Sequence, residues 1–426
     1  MELLIKGGRV INPKTKTDEK LDILIRDNVI VDIKSNIDVK NRKIIDASGM
    51  IVTPGFIDIH VHLREPGFEY KETIKTGTES AVAGGFTTVA CMPNTNPAIH
   101  SKEIVEFIKA KAHKEGKANV MVIGSITKDL EGEELSQMNE MYDCGIVAIS
   151  DDGKTPMKEE IMIKAFRKAK ELDIPLISHC EDHNLSKGGS INQGTASERT
   201  KIKGIPAAAE HLIVKRDIEL CKKTDSRLHI AHVSTKESVD LLRKARNEKV
   251  RVTSEVAPHH FTLTDDIITS QNTYTKVNPP IRSHQDVDAV INGILDGTID
   301  IIATDHAPHD KNSKDTSYDK AAFGITGLET AFSLSYTYLV KKNELPLMKL
   351  IEMMTIKPAK IIGIDKGSLE IGKEADIAVL DPNEEYIIDS DKFYSKGKNT
   401  PFNGYKVIGK PVYTIVSGKI EYEGGK

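Results

Sequence analysis

Two histidines separated by one residue, His60 and His62, close the apolar run Gly55-Phe56-Ile57-Asp58-Ile59-His60-Val61-His62. In an extended chain alternate side chains face the same way, so the two imidazoles project together and can chelate one metal ion. Four more residues of ligand type, Asp152, His179, His232 and Asp305, each follow another apolar β-rich run. Imidazoles with carboxylates suit zinc or a similar borderline divalent ion. The set exceeds what one catalytic zinc needs and suffices for one or two ions, two favoured, sharing a hydroxide. Such a pair lowers the pKa of water and polarises a carbonyl, so the chemistry expected is metal-dependent hydrolysis.

Other residues near these positions supply substrate contacts. Asp305, in Asp305-His306-Ala307-Pro308-His309, can ligate the ion and also carry a proton from water to a leaving nitrogen; His306 is a candidate to orient it. Arg64 stands two residues beyond His62 and is expected on the same strand face. A guanidinium beside cations needs an anion between them, so it reads as a clamp for a substrate carboxylate; the alternative is a salt bridge with Glu65 or Glu69. Asn94, in Met92-Pro93-Asn94-Thr95, and Asn278, in Val277-Asn278-Pro279-Pro280-Ile281-Arg282, can serve an amide-bearing ligand from both ends of their side chains. Arg282 is either a binder or a brace. Phe323-Gly324 offers backbone groups for close substrate approach, or is an ordinary glycine turn. His259 and His260 are neighbours, so at most one is expected to point at the site. His229 is expected on the far face of its strand, either in the core or supporting the site from behind, and His100, His113, His183, His211 and His284 at the surface. Cys180 should face away from His179, which argues against a nucleophile.

These residues need a scaffold that brings distant positions together. Apolar runs end near residues 60, 91, 124, 150, 179, 232, 255 and 304, with helical patterns between most of them, including 101–115, 158–172, 207–221 and 236–247. Eight strands alternating with helices predict an α/β fold, a TIM-type (β/α)8 barrel whose active site lies at the carboxyl ends of the strands. Ser101 and Thr235 occupy N-cap positions. Short strands at both ends predict a small β-sandwich domain built from residues 1–53 and 363–426, flanking a catalytic barrel over 54–362. Gly7-Gly8 is read as hairpin punctuation. Residues 181–203 are expected to form a loop over the mouth, and 308–318 a mobile lid. A net charge of −4 argues against nucleic acid or anionic membrane as a partner. The absence of a signal-like start or a membrane-length apolar run, with four scattered cysteines, fits a cytoplasmic protein with reduced thiols.

With these residues laid out, the chain resembles the amidohydrolase superfamily, and within it the type I bacterial dihydroorotases. The resemblance rests on Pro54–His62, on Leu63-Arg64-Glu65-Pro66-Gly67, Met92–Thr95, Asp151-Asp152-Gly153, Asn278–Arg282 and Thr304–His309, and on Gly372-Lys373-Glu374-Ala375-Asp376 near the end. It implies reversible hydrolysis of L-dihydroorotate to N-carbamoyl-L-aspartate in pyrimidine biosynthesis. By similarity His60, His62, Asp152, His179, His232 and Asp305 bind zinc, and a metal-bound hydroxide attacks with Asp305 shuttling the proton. Arg64, Asn94 and His309 would hold the substrate carboxylate, and Asn278 the ring. A homodimer is the assembly it implies, with aspartate transcarbamoylase as a candidate partner. Many relatives bridge two metals with a carboxylated lysine, whereas this chain has Asp151-Asp152-Gly153, with Lys154 beyond the strand. The competing readings are a dihydropyrimidinase or allantoinase, whose substrates lack that carboxylate, and a silent scaffold, which would be expected to have lost ligands.

Overall fold

The structure is a computed structural model that describes residues 2–38 and 42–424. Eight parallel strands follow one another around a barrel: β1 (Phe56–Val61), β2 (Phe86–Cys91), β3 (Asn119–Ser125), β4 (Ile146–Ser150), β5 (Leu176–Ser178), β6 (Leu228–Ile230), β7 (Val252–Val256) and β8 (Ile301–Ile302). The ring is drawn shut where Val61 bridges His306 and the His62 amide donates to the His306 carbonyl at 2.9 Å. Asp58, buried inside β1, accepts from the Thr304 amide with both oxygens, at 3.1 and 3.2 Å, and so ties the first strand to the last.

One buried cluster draws Ile57, Ile59, Ala90, Ile123, Ala148, Ile177 and Ile301 from the strands themselves, with Ala231 just past the end of β6. A larger one packs their other faces against helices through Val105, Ile108, Met162, Phe166, Leu220, Val239, Leu242, Val290 and Ile294. The helix Lys236–Asn247 shows why periodicity located these elements: Val239, Leu242 and Ala245 form its buried stripe, and Thr235 caps it by accepting from the Ser238 amide. Ser101 holds the equivalent position before Lys102–Glu115, but its side chain makes no cap bond to the backbone.

The chain ends meet in one hydrogen-bonded sheet. Glu2–Asn12, Thr17–Arg26, Val29–Lys34, Lys43–Asp46 and Ile51–Pro54 join Ile377–Ile387, Lys406–Val416 and Lys419–Glu423. Gly7-Gly8 is not a hairpin. The strand runs through from Glu2 to Asn12, and the pair makes a bulge between Ile5 and Gly8, with Gly7 at φ 71°. Residues 181–203 are more ordered than a loop, carrying the short helices His183–Ser186 and Thr195–Thr200 and the strand Ile191–Asn192, which pairs with Gly204–Ile205. The 308–318 segment includes the helical turn Lys311–Lys314, and Lys314 is fully buried there, donating to the carbonyls of Lys276 and Ala322. No helix among the described residues is long and apolar enough to cross a membrane, and all four cysteines are free thiols.

Candidate active site

The predicted site residues converge at the carboxyl ends of the barrel strands. A cavity of about 200 Å3 is lined by His62, Arg64, Asn94, Asp152, His179, His232, Asn278, Asp305, His309, Phe323 and Gly324. His60 lies beneath it with no solvent exposure.

Asp152 is the hub. Its Oδ1 lies 3.3 Å from His60 Nε2, 3.5 Å from His179 Nδ1 and 3.7 Å from His232 Nε2, and its Oδ2 lies 3.4 Å from His62 Nε2. Asp305 Oδ1 lies 3.1 Å from His62 Nε2 and 3.5 Å from His60 Nε2. Among the described residues, two triplets have donor atoms close enough to share an ion: His60 with Asp152 and His232, and His60 with His62 and Asp305. His179 falls outside both triplets, 2.9 Å from His232 through facing ring nitrogens.

Burial pushes both carboxyls toward the neutral form. The surrounding imidazoles reverse this, holding Asp152 well below the ordinary carboxylate range and Asp305 at about 2. His60 Nε2, Asp152 Oδ1 and His232 Nδ1 are buried with no hydrogen-bond partner. Buried polar atoms are rarely left so, and His60 Nε2 facing the ionised Asp152 Oδ1 makes a nitrogen and oxygen set that fits a divalent cation.

The histidines are aimed from behind. His62 Nδ1 donates to Asn94 Oδ1 at 2.8 Å, leaving Nε2 free to ligate. His60 Nδ1 is held by Glu255, whose other oxygen lies 3.0 Å from His229 Nε2. His229 thus belongs to the support of the site rather than to a distant core. Sequence reasoning missed Glu255, although a glutamate inside the buried strand Val252–Val256 was a visible signal. It also missed Glu181, which lies 3.3 Å from His179 Nε2 and accepts from Asn278 Nδ2 at 2.9 Å. Asn94 and Asn278 therefore each have one end of the amide committed to this scaffold.

Several expectations change. Arg64 does not extend the strand face: β1 ends at Val61, and Arg64 reaches the cavity through a left-handed backbone at φ 62°. His232 and Asp305 turn inward with positive φ as well, 30° and 47°. Glu65 and Glu69 are occupied elsewhere, by the Ile74 and Gly67 amides, so neither pairs with Arg64. The guanidinium meets the Pro308 carbonyl at 3.3 Å and His309 Nε2 at 3.4 Å, and burial lowers its pKa to about 10. His306 does not orient Asp305; its ring lies between Glu72 Oε2, at 3.4 Å, and the Gly327 amide.

Arg282 is a brace, buried against Ser234, Asn192 and Glu210. His259 and His260 are both buried; His260 Nε2 donates to the Pro279 carbonyl, and His259 Nε2 has no partner. His309 Nε2 donates to the Phe323 carbonyl at 2.8 Å, and burial together with Arg64, Lys71 and Lys314 drives its pKa down to about 2. Burial pushes the Cys180 thiol well up, against any role as a nucleophile.

The Amidohydrolase family profile matches residues 51–420. A protein named dihydroorotase from Acetivibrio thermocellus is 50% identical over 98% of both chains. Its namesake from Caldanaerobacter subterraneus subsp. tengcongensis is 50% identical over 100% of this chain and 98% of its own. Among solved structures, the L-hydantoinase (dihydropyrimidinase) of Arthrobacter aurescens superposes with a TM-score of 0.90 at 27% identity, over 100% of this chain and 96% of that one. A barrel whose strand ends gather ionised carboxylates and unpartnered imidazoles, with a family match across most of its length, leads to one assignment: the chain belongs to the amidohydrolase family.

Proposed function

We propose that this protein is a zinc-dependent dihydroorotase, interconverting L-dihydroorotate and N-carbamoyl-L-aspartate in pyrimidine biosynthesis. The observation that carries the substrate reading is Arg64, a buried cation with no carboxylate partner among the described residues, facing the cavity beside the histidine–aspartate cluster. A hydantoin or dihydrouracil ring brings no acid for it; dihydroorotate does.

His60, His62, Asp152, His179, His232 and Asp305 would hold zinc, with two ions favoured. When bound, the metal lowers the pKa of water and polarises the amide carbonyl. Arg64, Asn94 and His309 receive the substrate carboxylate, and Asn278 with the Phe323-Gly324 backbone meets the ring. Asp305 takes the proton of the attacking water. As the ring C–N bond breaks, Asp305 returns the proton to the leaving nitrogen; cyclisation runs the same steps in reverse. The same reading takes 54–362 as the catalytic barrel and 1–53 with 363–426 as its companion domain, in a cytoplasmic homodimer able to dock aspartate transcarbamoylase.

The test compares turnover of dihydroorotate, dihydrouracil and allantoin by the purified chain, alone and with the transcarbamoylase, alongside metal analysis. Dihydroorotate should be strongly preferred, and Asp305→Asn should keep its zinc while kcat falls by orders of magnitude. Preference for a substrate without the acid would overturn the reading, and near-normal turnover by Asp305→Asn would remove that residue from the mechanism.

A further inference from the structure

The connection between Ile377–Ile387 and Lys406–Val416 leaves the small sheet and packs against the loops that follow β8. It approaches closely: a Cβ on Gly397 would lie 2.6 Å from Pro308 Cβ and 2.9 Å from the His309 nitrogen. Two residues on, the side chain of Asn399 is 2% exposed and fully engaged. Its Oδ1 accepts from the His309 amide at 2.8 Å, and its Nδ2 donates to the carbonyls of Ala307, at 3.0 Å, and Gly324, at 2.9 Å. Its own carbonyl accepts from the Thr326 amide at 3.0 Å. One side chain thus joins the two segments that carry His309 and Phe323-Gly324.

We infer that Asn399 is a positioning residue for the carboxylate-binding wall of the pocket, acting through His309 and Gly324. The inference rests on the dihydroorotase reading. A carboxamide is the group the geometry demands, because one acceptor and two donors leave one short side chain. Asn399→Asp would set an oxygen against two carbonyl oxygens, Asn399→Ala removes all three bonds, and Asn399→Ser retains a single donor.

The experiment measures KM and kcat for dihydroorotate, zinc content and thermal stability for these variants, with hydrogen exchange over residues 306–326. We expect KM to rise about tenfold or more in Asn399→Ala, the scale of a lost buried hydrogen bond, with kcat and zinc content little changed. The serine variant should recover part of the affinity and the aspartate variant none. An unchanged KM, a fall in kcat alone, or failure of every variant to fold would each overturn the inference. A wild type inert toward dihydroorotate would instead overturn the substrate reading. Hydrogen exchange then decides: faster exchange over 306–326 in folded Asn399→Ala supports the inference, and unchanged exchange defeats it.

Discussion

Replacing Arg64 with Met should weaken substrate binding and strengthen the fold. Burial lowers the Arg64 pKa from 12.5 to about 10, which corresponds to roughly 3 kcal/mol lost by carrying the charge unpaired at neutral pH. The side chain recovers only a weak bond to the Pro308 carbonyl, 3.3 Å away, worth about 1 kcal/mol. Methionine keeps most of the stem and none of the charge, so Arg64→Met should gain roughly 1–2 kcal/mol of stability. The same change removes a desolvated guanidinium–carboxylate pair from the substrate complex, a loss of about 2–5 kcal/mol. KM for dihydroorotate should therefore rise by at least about 30-fold, at roughly 1.4 kcal/mol per factor of ten. Chemical denaturation of the ligand-free protein and steady-state kinetics read the two effects separately. A destabilised variant would show that Arg64 is a structural brace, and an unaltered KM would show that no substrate anion meets it.

Two further perturbations test the supports. Glu255→Gln disturbs the acceptor shared by His60 and His229; zinc affinity, measured by competition with a chelator, should fall about 10- to 100-fold, and an unchanged affinity would remove Glu255 from the site. Lys314 is held near pKa 7 by burial and by Lys276, far below a free lysine, so its charged form costs stability below about pH 7 and that cost vanishes as pH rises toward 10.4. Lys314→Met, compared with wild type by urea unfolding at pH 6 and pH 9.5, should gain relative stability at the lower pH and lose most of that advantage at the higher; a pH-independent difference would contradict the assignment.

The parts of this protein legible in its sequence were those encoded locally. Apolar runs followed by His or Asp marked the strand ends, and Val239, Leu242 and Ala245 marked a helix face, because both patterns have fixed periods. The errors arose where local conformation departed from those periods. Strand alternation puts Arg64 on the face of His62, but the strand stops three residues earlier and the chain turns left-handed. Gly7-Gly8 looked like a turn because a bulge and a hairpin use the same residue. What stayed hidden was the long-range pairing. Glu255 meets His60 across 195 positions and Asn399 meets His309 across 90, and no spacing rule connects them. His306 shows the converse: adjacency to Asp305 suggested a partnership, while the fold gives its ring to Glu72.

The excursion from the terminal sheet to the loops after β8 bears on how such enzymes can be recombined. A chimera that exchanged only the central barrel between two relatives would join a pocket from one parent to a buttress from the other. The crossover points that respect this architecture keep residues 390–403 with the barrel they brace, although in the chain they lie between two strands of the other module.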